Sequence, residues 1–362
     1  MNVARPSSVG ELADVLRDSA PQSVLIRGGD TKLGWGGVVD EPLDLVVWTS
    51  GLDRIVEHAD GDFVVTVQAG ARLSHVQREL GSKGQWLALD PPEADATIGG
   101  VVSTAASGPR RLRYGTPRDL LIGATVVLAD GTVARSGGKV VKNVAGYDLG
   151  KLFCGAFGTL GVVAECTFRL HPRPRAIRCV SVAVDDPGEA VRSLRRSPFR
   201  PSAIEYDGTC LSVVVEAFEA AAEAQAEQIR SLLGGEIRDA VPDGFGVRPW
   251  QPGGIGLKAT FRIGALSPVV ALVRQIAPEL RMSAHAASGV LWLGGTASSA
   301  MVSELRAAVT SYDGTVVVMT APATFRRQVD VWGPVRGVEL MRRIRDQFDP
   351  DRRMNPGVFD AI

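Results

Sequence analysis

Residues 90–124 read DPPEADATIGGVVSTAASGPRRLRYGTPRDLLIGA, and after a short hairpin the chain continues at 137–163 as GGKVVKNVAGYDLGKLFCGAFGTLGVV. Glycine crowds both stretches, and the apolar runs between are too short for helices. Glycine permits backbone conformations and close approaches that a Cβ forbids. Gly-rich turns with exposed N–H groups are how proteins hold phosphates and flat cofactors. Together the two stretches read as most of a nucleotide-cofactor site. Thr97-Ile98-Gly99-Gly100 opens a run of small residues through Ser103 and Ala105 to Gly108, where backbone could lie against a flat ring. Arg113-Tyr114-Gly115 follows, with Asp119 beyond; a surface turn with an ion pair accounts for Arg113 equally well. Gly158-Thr159-Leu160-Gly161 then leads into a strand that begins at Val162 and Val163 and runs to Leu170.

Working toward the N-terminus, a short buried strand at Ser23–Ile26 enters a second Gly-rich loop. That loop is Arg27-Gly28-Gly29-Asp30-Thr31-Lys32-Leu33-Gly34-Trp35-Gly36-Gly37. A plain turn seldom needs so many glycines, so the loop reads as a phosphate cradle. Neither G-x-G-x-x-G after this strand nor G-x-x-x-x-G-K-[ST] is present, which disfavours a Rossmann or P-loop site. Around it, Ser8-Val-Gly-Glu11 reads as a capping box before a helix with Leu12, Val15 and Leu16 on one face. Leu73, Val76 and Leu80 give a second helix, and Asp130-Gly131 marks a hairpin.

Beyond His171-Pro172-Arg173-Pro174-Arg175 the texture changes. Strands and helices alternate in two similar runs, 177–233 and 257–319, separated by an irregular crossing loop at 240–256. That pattern predicts an antiparallel sheet backed by helices. A helix near 335–348 ends in Asp349-Pro350…Asn355-Pro356-Gly357, good helix-exit chemistry. The chain thus divides as 1–172, 173–333 and a returning segment 334–362. Apolar residues make up 45% and charged residues 22%, with zero net charge. Those values fit a globular domain pair and give no nucleic-acid footprint. No apolar run approaches a membrane span. The four cysteines are widely spaced without C-x-x-C, against a cluster or zinc held by this chain alone. A reduced, cytoplasmic setting is the expectation.

Taken in order, R-G-G-x-T-K-x-G at 27–34, T-I-G-G at 97–100, R-Y-G with Asp119 and K-N-V-x-G-Y-D-L at 142–149 make a set. With G-T-L-G-V-V at 158–163 and F-D-P…N-P-G at 348–357, this set resembles the FAD-binding family of the vanillyl-alcohol oxidase (PCMH) type. Within it the chain is similar to the FAD-binding E-type subunits of bacterial glycolate oxidases. The resemblance implies an α+β fold: a two-subdomain FAD-binding domain plus an α+β antiparallel-sheet cap. It places the pyrophosphate on Arg27–Gly34 and the flavin and ribityl chain along Thr97–Gly100 and Ser103–Gly108. Gly158–Val163 would sit near the adenosine, with Asn355 returning toward the isoalloxazine. It also implies partners, a related flavoprotein subunit and an iron–sulfur subunit, and a small 2-hydroxy acid as substrate. Through that complex the chain would sit at the inner face of the membrane. Asp30-Thr31 stands where some relatives carry a flavin-linking histidine, so the FAD is expected to be non-covalent.

The cap departs from the pattern. Related hydroxy-acid dehydrogenases carry H-A-G-D-G-N-L-H, whose histidines bind a metal. Here the segment is His285-Ala286-Ala287-Ser288-Gly289-Val290-Leu291-Trp292, and no G-E-H-G follows between Thr320 and Val335. A lone imidazole makes a poor divalent site, so His285 is expected to be packed or hydrogen-bonded and no metal is assigned. No catalytic residue is assigned either. Arg248, Arg262, Arg326 and Arg327 are candidates for a carboxylate clamp, although surface arginine is the plainer reading of each. The leading expectation is an FAD-binding redox subunit of a glycolate-oxidising complex. A self-sufficient FAD oxidoreductase of another small substrate and a non-catalytic FAD-binding scaffold are the alternatives.

Overall fold

A computed structural model describes residues 2–39, 42–138 and 148–359. Most of the K-N-V-x-G-Y-D-L motif, at 142–147, lies outside them. The N-terminal part is built on two sheets. Strands Asn2–Ala4, Leu45–Trp48 and Val24–Arg27 form a small parallel sheet in that order. Helix Val9–Asp18 lies beside it with Leu12, Ala13 and Leu16 buried. Ser8 caps this helix by accepting from Glu11 N at 3.1 Å, but the Glu11 carboxylate reaches back to Ser7 N at 2.8 Å rather than to Ser8. The box is therefore shifted by one residue.

The second sheet is antiparallel, with Ile55–Ala59 at one edge, then Val64–Gln68, Val162–Arg169, Leu121–Val127 and Val133–Gly137. In Val162–Arg169 burial alternates toward its C-terminal end, the period-two signature of a sheet with one face packed. Helices Leu73–Gly81 and Ile98–Ser103 bury Leu73, Val76, Leu80, Ile98, Val101 and Val102 in the core beside it.

The cap is one eight-stranded antiparallel sheet. Each half runs strand–helix–strand–strand–helix–strand: Ala176–Ala183 to Glu236–Arg238, then Ile255–Thr260 to Thr315–Thr320. This is the β-α-β-β-α-β unit twice over. The halves meet edge to edge where Ala203–Tyr206 pairs with Arg281–His285, through Glu205↔His285 and Tyr206↔Ala284. The helices bury Ala222, Ala226, Ile229, Val269, Val273, Val302 and Leu305 in one apolar core. The predicted α+β architecture, with its antiparallel cap, is the one observed.

The tail returns as expected. After helix Val338–Phe348, Met354 bridges Val24 in parallel. Arg353, 4% exposed, spends its guanidinium on the carbonyls of Leu16, Gln22 and Ala129 and on Ser19 Oγ, at 2.7–3.0 Å. The last described residues are thereby fastened under the parallel sheet.

Candidate functional site

The site starts in the loop after Val24–Arg27. Among the described residues, the backbone N–H groups of Gly29, Asp30, Thr31 and Lys32 donate to no protein acceptor. Asp30 adopts a left-handed φ of 58°, and its carboxylate accepts Arg27 Nε at 3.0 Å. The Arg27 guanidinium lies over the Trp48 ring, 4.5 Å from its centroid. Glycine is required where the loop meets the next wall. A Cβ on Gly29 would stand 2.1 Å from the Asp95 carbonyl oxygen, and one on Gly28 2.5 Å from Thr97 Oγ1.

Thr97 caps helix Ile98–Ser103, accepting from Gly100 N at 3.3 Å. Gly99, Gly100 and Ser103 face the loop across a cleft, with Ile98 buried behind them. Gly158, Gly161, Val162 and Val163 form the third wall. Asn355 closes it from the tail: Oδ1 accepts Ile26 N at 2.7 Å and Nδ2 donates to the Phe157 carbonyl at 2.7 Å. Trp35, Thr104 and Phe157 line this cleft and also a second, smaller chamber under the cap. Ala105 and Ser107 enter that chamber from below, and Lys258, Trp292 and Met319 from above.

Electrostatics separates the two ends. The loop end offers unpaired N–H donors beside Lys32, whose ammonium pKa is lowered by burial and partly restored by Glu93, 3.2 Å away. At the chamber end, burial brings Lys258 to about 8, and Arg111 and Arg248 push in the same direction. Convergent N–H donors at one end and small-residue and aromatic walls along the rest fit a dinucleotide carrying a pyrophosphate and a flat ring system. No histidine lines the cleft among the described residues, so no imidazole is placed to link covalently to such a ring.

Comparison with known proteins agrees. Residues 2–137 match a family profile described as "FAD binding domain", and residues 332–359 match "FAD linked oxidases, C-terminal domain". The chain therefore carries an FAD-binding domain and a segment matching the C-terminal domain of FAD-linked oxidases, and its cofactor is FAD. In sequence the chain is similar to subunits of glycolate oxidase and to a D-lactate dehydrogenase. It is 32% identical over 231 residues to glycolate oxidase subunit GlcE of Escherichia coli, covering 62% of this chain and 63% of that one. It is 33% identical over 220 residues to subunit GlcD of Bacillus subtilis, covering 59% and 47%. It is also 32% identical over 209 residues to a D-lactate dehydrogenase of Archaeoglobus fulgidus, covering 56% and 46%. The chain thus spans between about half and under two thirds of these relatives' lengths. In fold it resembles alkyldihydroxyacetonephosphate synthase, with a TM-score of 0.71 at 14% identity over 98% of this chain and 75% of that one.

Several residues assigned to the cofactor from sequence lie elsewhere. Arg113 Nη1 donates to the Glu216 carbonyl at 2.7 Å, and Tyr114 O–H to the Glu216 carboxylate at 3.4 Å, so both face the cap. Asp119 accepts from Thr116 N at 2.8 Å as a helix cap, and Gly115 packs on it. Gly108 is pressed onto Asp90, where a Cβ would lie 2.1 Å from the Asp90 carbonyl oxygen. Thr159 is buried, donates to the Ala156 carbonyl at 2.7 Å, and borders a separate cleft beside helix Val338–Phe348. Gly34 packs toward Thr320 and does not line the cleft.

His285 is engaged at both nitrogens. Indole N–H only donates, so Nε2 accepts from Trp292 Nε1 at 3.1 Å and Nδ1 carries the proton donated to Glu205 at 2.8 Å. The residue is hydrogen-bonded, as its sequence context suggested. Of the arginine candidates, Arg248 is buried against Trp292 and Arg326 donates to the carbonyls of Gly36 and Gly37. Arg262 lies over Tyr312. Lys258, which lines the chamber, was not singled out from sequence; its signal was a charge within the mostly apolar strand Ile255–Thr260.

Proposed function

We propose that the chain is the FAD-binding redox subunit of a complex oxidising glycolate, or a similar small 2-hydroxy acid, to the 2-oxo acid. Its partners in this reading are a related flavoprotein subunit and an iron–sulfur subunit, and the complex works in the cytoplasm at the inner membrane face. The observation that carries the reading is the cleft: unpaired Gly29–Lys32 N–H groups at one end, opening at the other into a cap-covered chamber. Bound FAD supplies a two-electron acceptor. The loop holds its pyrophosphate, Thr97–Ser103 and Gly158–Val163 wall it, and Asn355 locks the walls together. The aromatic chamber of Trp35, Phe157 and Trp292 keeps water from the ring. Among the described residues lining that chamber Lys258 is the only ionisable one, and the nearby imidazole of His285 is already committed to Glu205 and Trp292. A proton acceptor is therefore better supplied by a partner.

The test is an absorbance spectrum of the purified chain, followed by anaerobic glycolate. The expected result is flavin released on denaturation, which in the native chain stays oxidised with glycolate until the partner subunits are added. Bleaching by glycolate without partners would establish a self-sufficient enzyme. Failure to take up FAD would leave only a scaffold.

A further inference from the structure

An open groove lies where helix Arg111–Tyr114 meets the cap. Its floor is apolar. Leu194, Ile204 and Ala287 form the buried bottom, with Leu112 and Phe199 half-buried against them, and Ile263 stands beside them 41% exposed. Arg113, Arg195 and Arg200 line the same groove and are exposed. Among the described residues no Asp or Glu lines it. Arg113 Nη1 donates to the Glu216 carbonyl at 2.7 Å and to Ser202 Oγ at 3.3 Å, while the Glu216 carboxylate is taken by Arg110 at 2.7 Å. Arg200 Nη1 donates to the carbonyls of Phe199 and Pro198 at 2.9 and 3.2 Å. Among the described residues the Arg195 side chain makes neither a hydrogen bond nor an ion pair. Arginines elsewhere on the surface find carboxylates: Arg192 pairs with Glu189, Arg230 with Glu227 and Arg342 with Glu339, each at 2.7 Å. The chain as a whole is balanced, with 40 Lys and Arg against 40 Asp and Glu, so the groove is a local excess of positive charge.

The helix dipole accounts for Arg195, in the last turn of helix Pro187–Arg196. It accounts neither for Arg113 and Arg200, which come from other elements, nor for an apolar floor left open to water between them. An apolar centre rimmed by arginine is the make-up of a protein-binding patch. Charge then selects the partner. A second copy of this chain set across a two-fold axis would bring the same arginines face to face, which is repulsive. The complement is a segment with a large apolar side chain between Asp or Glu residues. We propose that the groove docks such a segment of a different protein. The apolar side chain enters over Ile204 and Ala287, and the flanking carboxylates meet Arg113, Arg195 and Arg200. The proposal rests on the functional reading above in taking that protein to be another subunit of the same complex.

The test recovers the complex that the affinity-tagged, full-length chain forms in its own cells, with Ile263→p-benzoylphenylalanine as a photo-cross-linker. The parent, Arg195→Glu/Arg200→Glu and a control with the same charge change outside the groove, Arg78→Glu/Arg230→Glu, are compared for bound protein, FAD content and melting temperature. Cross-links from position 263 are expected to map, by mass spectrometry, to an apolar segment flanked by Asp or Glu in a flavoprotein or iron–sulfur subunit. Retention of that subunit is expected to fall about tenfold or more in the groove variant and to be kept in the control. FAD content and melting temperature are expected to match in all three. Should the groove variant lose FAD or melt early, Arg195→Gln/Arg200→Gln, which removes the charge without reversing it, takes its place. Equal retention in the groove variant and the parent would overturn the proposal while leaving the complex standing. So would cross-links that fall on a second copy of this chain, or on a segment without carboxylates. A cross-linked protein that carries the expected segment but is neither kind of subunit would keep the groove and defeat the functional reading. A parent chain recovered alone would defeat both.

Discussion

At the level of single residues, the cradle depends on atoms that are absent. A methyl group on residue 29 would overlap the Asp95 carbonyl, which belongs to backbone and cannot swing aside. Gly29→Ala is therefore expected to push the loop out of register and weaken FAD binding about tenfold or more, while the cap core stays intact. A fluorescence titration of apoprotein with FAD measures it, and unchanged affinity would remove the loop from the cofactor site. This part of the site was legible in sequence because its chemistry is local: consecutive glycines, an Asp and a Lys in one turn. Arg113 and Tyr114 were misplaced for the opposite reason. Their partner, Glu216, lies about a hundred residues further on, and nothing in R-Y-G distinguishes a cation facing a nucleotide from one facing a neighbouring domain.

Between elements, the joint linking the segment 90–115 to the cap strand Cys210–Ala217 is a buried charge network. Arg110 Nε donates to Glu216 Oε1 at 2.7 Å, while its Nη1 stands 3.6 Å from Asp90. Asp90 also accepts from Gly108 N at 3.1 Å and Arg110 N at 3.0 Å. Burial nevertheless raises its pKa to about 7, and the nearby Glu216 carboxylate adds to the rise against the lowering by Arg110. The folded pKa lies above the unfolded one, so the native state holds a proton that the unfolded chain releases. Stability from this group is full below about pH 4, declines as pH rises toward 7 and is absent above it. The melting temperature of the parent chain is expected to fall by about 3 °C or more between pH 5 and 7.5. In Asp90→Asn, which cannot ionise, that decline should flatten; an equal slope in both proteins would assign it to other groups. Helices with their own caps, such as Val9–Asp18 and Ser299–Thr310, could be read from sequence, since Ser8 and Ser298 act within one turn. This joint could not, because it exists only once two distant elements meet.

For the molecule as a whole, the family matches fall on 2–137 and 332–359 and leave most of the cap between them. The same division ran through the sequence reading. The FAD-binding part announces itself by glycine, whereas the cap shows only two similar runs of strands and helices. Its antiparallel sheet was foreseeable from that repetition. How the halves join was not, since any edge strand is a candidate partner for any other until sterics choose.

That join also has a mechanical meaning. Two register pairs, Glu205↔His285 and Tyr206↔Ala284, with the Ala286 N–H to Ile204 carbonyl bond at 2.9 Å, stitch the halves, whereas Ala176–Ala183 and Cys210–Ala217 share eight register pairs. A sheet loaded from both ends should part at the seam with the fewest stitches. The clasp across it is the Glu205–His285–Trp292 chain of hydrogen bonds, and Trp292 is also the floor beneath Lys258. Amide exchange at 284–286 is expected to be faster than at 213–215, in the middle of the well-stitched pair. Equal exchange in the two places would show the two halves to be one rigid plate.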